Sequence, residues 1–213
     1  MGRSRKIALF VALYAAQGLP LGFFTLALPV LLRDAGFSLK AISAFSLLSL
    51  PWALKFLWAP YIDHLGARRS WLLTLQLSSV LAALVLTQLD LNRSYVLLVV
   101  AAFAFNILAA TQDIVTDGLA VRALDAGERG PANAIQVAAY RLGMILGGGF
   151  LLWLCATTNW TIMFFTMALL LALTVLPVIG LREPPRSNAP APRAAAGLAL
   201  VWASRLVAPG MLS

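Results

Sequence analysis

Arg141 stands about ten residues inside an apolar run, where a charge costs at least ~2.5–3.5 kcal/mol on insertion scales. It therefore needs a partner or a water-filled cavity. An ion pair that only fixes packing would satisfy it, and so would a site for a substrate anion or for coupling. On an earlier apolar run Asp113 and Asp117 are spaced i,i+4, which puts both carboxylates on one helical face. Asn106 lies two turns away on nearly the same stripe, and Gln112 is next to Asp113. Paired carboxylates can share or relay a proton, and an acid near Arg141 can trade its proton for a rearrangement driven by substrate. Asp113 lies deeper and is the better coupling candidate. Asp117 is close enough to the end of its run to be merely solvated.

Other residues point to how these groups are held. Gln17-Gly18-Leu19-Pro20-Leu21-Gly22 falls in mid-run, where Pro20 removes a helix hydrogen bond and the glycines let the backbone unwind or pack closely. Interrupted helices at the midplane are where carriers place ligands, so Gln17 is a candidate contact beside the simpler reading of a proline kink. Gln136, Tyr140, Gly143 and Gly147 recur at spacings of three and four, with Arg141 on a neighbouring face. Gly143 and Gly147 form a GxxxG pair that admits another backbone, and packing is its main reading. Lys55 sits near the end of its run, where its ammonium can snorkel to the interface.

These groups need a scaffold that spans a bilayer. Of the 213 residues 61% are apolar and only 11% charged, too few polar groups to cover a water-facing surface. Six runs reach the ~20 residues a span requires: Ile7 to Leu32, Leu39 to Ala59, Trp71 to Leu89, Tyr95 to about Leu119, Ala132 to Ala156, and Trp160 to Leu181. The first run is too long for the apolar core of a signal peptide, roughly 7–15 residues. The expected fold is all-α, a six-helix transmembrane bundle over residues 1–181. Basic residues set its orientation: Arg3, Arg5, Lys6, Arg68, Arg69, Arg122, Arg129, Arg182, Arg186 and Arg193 fall on one side, against Arg33, Lys40 and Arg93 on the other. The positive-inside rule then places both ends of the bundle in the cytoplasm.

Residues 182–197 are rich in proline, alanine and charge, as a cytoplasmic linker would be. Residues 198–213 are apolar but broken by Arg205, Pro209 and Gly210, which suits an interfacial helix or the start of a second transmembrane half. The net charge of +8 is scattered over short loops, which argues against nucleic acid as a partner. Cys155 and His64 each stand alone, so neither a disulfide framework nor a Cys/His metal site is expected, and no cofactor is.

The turn Ala59-Pro60-Tyr61-Ile62-Asp63-His64-Leu65-Gly66-Ala67-Arg68-Arg69 resembles the signature loop G-x-x-x-D-R/K-x-G-R-R/K of the major facilitator superfamily. Ala59, His64 and Ala67 depart from it. Four further motifs occur in order: Gln17 to Gly22; Lys55-Phe56-Leu57-Trp58-Ala59-Pro60; Thr111-Gln112-Asp113-Ile114-Val115-Thr116-Asp117-Gly118; and Tyr140-Arg141-Leu142-Gly143. Together they resemble the branch of AmpG-type muropeptide permeases and acetyl-CoA transporters, closer to the permeases, over Met1 to Leu181.

The resemblance implies proton-driven import of anhydro-muropeptides across the inner membrane, in cell-wall recycling and in the signalling that induces β-lactamase. It implies that Asp63, Arg68 and Arg69 latch the cytoplasmic side, with Asp117 or the end of the fourth span as their counterpart. Members use two six-helix halves around a central cavity, so a second half or a second copy is the implied partner. The residues alone support a bundle with buried Asp, Arg and Gln groups that suits a polar, anionic substrate. Two other readings stay open: a carrier of another anion such as acetyl-CoA, and a non-transporting remnant that only associates through its Gly143 face. An intramembrane enzyme finds no serine–histidine or metal constellation to support it.

Overall fold

The computed structural model describes residues 2–64, 68–89, 95–124 and 126–181. Within them six helices are long and apolar enough to cross a membrane: α1 Arg3–Asp34, α2 Leu39–Leu57, α3 Arg68–Leu86, α4 Val96–Ala123, α5 Gly130–Thr157 and α6 Trp160–Ile179. No strand occurs among the described residues. The protein is an all-α, multi-pass membrane bundle. The expectations for residues 182–197 and 198–213, and for the Asp63 carboxylate, lie outside what is described.

The ends of the helices follow local chemistry. α1 stops in a Schellman turn: the Phe37 N–H reaches the Leu32 carbonyl, the Gly36 N–H reaches that of Arg33, and Gly36 takes φ +86 without a Cβ penalty. Ser38 then opens α2 by accepting from the Ala41 N–H at 3.3 Å, and Asn159 opens α6 by accepting from the Ile162 N–H at 2.9 Å.

α1 and α5 run parallel, with their glycines interleaved. A Cβ placed on Gly147 would stand 1.9 Å from the Leu19 carbonyl oxygen, and one on Gly18 would stand 2.1 Å from that of Tyr140. Gly22 and Gly143 are equally crowded, against Met144 and Ala15. Two GxxxG pairs therefore face one another, Gly18 and Gly22 across from Gly143 and Gly147. Close backbone approach of this kind drives association in lipid, where apolar side chains gain nothing by leaving the solvent.

Pro20 neither breaks nor unwinds α1, contrary to one sequence-based alternative. The α-helix continues to Gly22 and then widens into a π turn, Phe23–Ala27, in which the Leu28 N–H reaches back to the Phe23 carbonyl. Packing against α5 holds the segment helical, and the wider turn takes up the misfit at the proline. α5 has a matching π turn, Leu146–Phe150, packed on the first.

The interior has three layers. At the end where α1 finishes, Phe23, Phe24, Phe105, Trp160 and Phe164 interlock edge to face, with Phe23 and Phe164 centroids 4.9 Å apart. At the end where α1 starts, Leu9, Leu13, Leu72, Leu119 and Val178 form a second apolar layer. Between them lies a polar waist of Gln17, Gln76, Asn106, Gln112, Asp113 and Thr116. α3 and α6 close the outside as an antiparallel pair, joined by Arg69 to the Ile179 carbonyl (2.8 Å), Gln76 to Thr174 and Trp160 to the Leu86 carbonyl (2.8 Å). On α6, Phe165, Leu169, Leu173 and Leu176 point away from the bundle at spacings of three and four. That stripe suits a face solvated by acyl chains.

Candidate functional site

α2 alternates between α-helical and 3-10 winding where it meets α4. Its second half runs as α-helix Leu50–Leu54, with Pro51 in the first turn, and then as a 3-10 turn, Lys55–Leu57. Side chains three apart share one side of a helix in α winding and line up more closely in 3-10 winding. Trp52, Lys55 and Trp58 all reach α4: Trp52 Nε1 donates to Asn106 Oδ1 at 3.2 Å, the Lys55 ammonium pairs with the Asp113 carboxylate, and Trp58 Nε1 donates to Thr111 Oγ1 at 3.2 Å. The Lys55 Nζ also lies 5.8 Å from the Trp52 ring centroid, a cation–π contact.

Lys55 and Asp113 form part of the wall of a cavity of about 810 Å³ bounded by α1, α2, α4 and α5. α1 contributes Tyr14 and Gln17, α4 adds Asp117, and α5 presents Gln136, Tyr140, Arg141 and Met144. Tyr14 donates its hydroxyl to Asp117 Oδ1 at 3.2 Å. Arg141 is exposed and has no ion-pair or hydrogen-bond partner among the described residues. Gln17 is 1% exposed, and neither its amide oxygen nor its amide nitrogen has a partner. An orphaned buried amide costs about 1–3 kcal/mol, a deficit that a bound polar molecule or water could relieve.

The cation on Asp113 is therefore Lys55. The sequence suggested an acid near Arg141 and let Lys55 snorkel to the interface, because it lies little more than one turn from the end of its span. Asn106 and Gln112 are buried in the waist but do not line the cavity, and Asn106 instead ties α2 to α4. Arg68 donates to the Val115 carbonyl at 3.3 Å, and its guanidinium occupies the space where a side chain at Gly118 would begin. Two smaller cavities continue toward the start of α1. One of about 200 Å³ shares Tyr14 and Gln136 with the large cavity and adds Asn133. It leads to one of about 330 Å³ at the Lys6–Glu128 ion pair, whose length is 2.7 Å.

The buried polar waist thus opens into a cavity lined by four spans. The family model of the Major Facilitator Superfamily matches residues 8–212. The chain belongs to this superfamily. Within the superfamily, its relatives include the anhydromuropeptide permease of Escherichia coli strain K12, 33% identical over 194 residues, 88% of this chain. A Rickettsia felis protein described as putative transporter AmpG 4 is 28% identical over 177 residues, 78% of this chain. A Haemophilus influenzae protein of undescribed function is 33% identical over 175 residues. The chain spans 39% of the length of the E. coli permease and 43% of that of the R. felis protein.

The cavity offers a mixed-charge site: Lys55 and Arg141 against Asp113 and Asp117. Sequence reasoning passed over Tyr14 and Trp52, and it quoted Trp58 and Gly118 within motifs without giving either a role. Tyr14 lies three residues from Gln17, a spacing that puts both on one helical face, so its place in the wall was open to inference. The two tryptophans flank Lys55 at three-residue intervals, a spacing that likewise puts all three on one side of the helix.

Proposed function

We propose that the protein takes part in proton-coupled import of anhydro-muropeptides, with Asp113 as the proton carrier and Arg141 as the contact for an anionic group of the cargo. The single observation that supports this most is the shared cavity, in which Arg141 has no protein counter-charge while Asp113 is held on the opposite wall. Gln17, Gln136 and Tyr140 line the same space and suit amide and hydroxyl groups of a peptide-bearing sugar. The relatives named for anhydromuropeptide add the substrate class. In this reading the N-terminus is cytoplasmic in the inner membrane, and a second six-helix unit completes the cavity as the superfamily's architecture requires.

Vesicles containing the full chain test it by uptake of radiolabelled anhydro-muropeptide under an inwardly directed proton gradient. Gradient-driven uptake in the wild type, lost in Asp113→Asn, is expected. Equal uptake by both removes Asp113 from coupling. Absence of both uptake and binding by the wild type overturns the carrier reading.

A further inference from the structure

The cavity of about 330 Å³ has a chemistry unlike that of the large one. It lies where three spans leave the membrane, since α1 begins at Arg3, α4 ends at Ala123 and α5 begins at Gly130. On α1 its lining residues Arg3, Lys6, Ile7 and Phe10 fall at spacings of three and four, one face of the helix followed from its outer turn inward. The first two are cationic and the last two apolar. Below them, Leu124 and Ile135 pack in one apolar cluster with Phe10. Over about 10 Å, the rise of seven helical residues, the lining passes from charge at the edge of the span to hydrocarbon within it.

The charges at the mouth do not cancel. Lys6 pairs with Glu128 at 2.7 Å, and its side chain is 19% exposed. Arg3 is exposed and has no ion-pair or hydrogen-bond partner among the described residues. Among the described lining residues one positive charge is therefore left over, beside an ammonium that has further N–H donors to offer. The mouth is also open, with Ile7 38% exposed between the bases and the apolar depth.

We propose that this cavity is a binding site for an anionic phospholipid of the phosphatidylglycerol type. The phosphodiester takes the Arg3 guanidinium and the spare N–H groups of Lys6, a headgroup hydroxyl donates to Glu128, and an acyl chain enters the slot past Ile7. The bilayer supplies such a molecule at this depth, whereas a water-soluble anion would leave the apolar slot unfilled. The cavity of about 200 Å³ shares Phe10, Leu124 and Ala132 and lengthens the slot inward. Lys55, Asp113 and Arg141 do not line this site, and it stands whatever solute the protein carries.

The full chain, purified in mild detergent, is titrated with phosphatidylglycerol, and bound lipid is followed by native mass spectrometry. Phosphatidylcholine with the same chains supplies a phosphate without net charge, and glycerophosphoglycerol supplies the headgroup without chains. Wild type is expected to retain phosphatidylglycerol in preference to phosphatidylcholine and not to retain glycerophosphoglycerol. Arg3 is exposed, so Arg3→Gln leaves the fold intact; it should weaken retention about fivefold, the weight of one base near an anionic headgroup. Arg122→Gln removes the same charge from the same end of the bundle, outside the cavity, and should leave retention unchanged. Ala132→Phe fills the slot with every charge in place and should weaken retention at least as much as Arg3→Gln. Equal losses in Arg3→Gln and Arg122→Gln would reduce the effect to general attraction between charges and overturn the site. Equal retention of the two lipids, binding of glycerophosphoglycerol as tight as that of the lipid, or full retention by Ala132→Phe would overturn it as well. None of these results bears on the carrier reading.

Discussion

Replacing Gly147 by alanine tests the packing of α1 on α5, and Gly149 supplies its control. The added Cβ at Gly147 would lie 1.9 Å from the Leu19 carbonyl oxygen, 2.8 Å from its carbon and 3.0 Å from the Phe23 nitrogen, all backbone atoms that no rotamer change can move. Ordinary contact needs about 3.5 Å, so the two helices must separate by roughly 1.5 Å at their crossing. Overpacking of this kind costs about 1–3 kcal/mol. A Cβ at Gly149 meets nothing within 4 Å. Both glycines lie in the π turn Leu146–Phe150, so the gain of up to ~1 kcal/mol from replacing a helical glycine is common to the two and cancels. Thermal unfolding in mild detergent should therefore separate the variants by about 2–12 °C, at ~2–4 °C per kcal/mol for a chain of this size. Equal melting temperatures would refute the claim that the four-glycine crossing carries the contact.

Three more outcomes are expected. Trp58→Phe removes the donor to Thr111 while keeping the ring, and should lower stability by about 0.6–1.7 kcal/mol, the range for a hydrogen bond between membrane helices, read by denaturation in detergent. Gly118→Ala meets only the far end of the Arg68 side chain, so it should cost less than about 1 kcal/mol, far below the Gly147 effect; a larger loss would mean Arg68 cannot yield. Lys6→Gln breaks a part-exposed ion pair with Glu128 and should cost no more than about 1 kcal/mol, vanishing in high salt when the two proteins are compared at both ionic strengths.

The spans were readable because bilayer thickness imposes a length that apolar runs either meet or miss. Each predicted run overlaps its helix, with shifts at the ends such as Trp71 to Leu89 against Arg68–Leu86. The meeting of Gln17, Asp113, Gln136, Tyr140 and Arg141 in one cavity was also within reach, since each is a polar group that lipid would reject. Which cation faces Asp113 was not. That depends on how α2 is rotated against α4, which no period in its apolar pattern announces. The partner of the Gly143–Gly147 pair was similarly hidden. Gly18 and Gly22 share the same spacing, but the proline between them drew attention to a break that neighbouring backbone prevents.

The matched π turns of α1 and α5 bear on how such a bundle can change by insertion and deletion. Each fits one surplus residue into its helix, and every side chain downstream is turned by about 100° relative to an uninterrupted helix. Losing a residue from Phe23–Ala27 alone would swing Leu28 and Leu32 from the interior toward the acyl chains, while the neighbouring helix kept its own register. Because the two parallel helices touch at this depth, losing a residue from one π turn also disturbs its packing on the other.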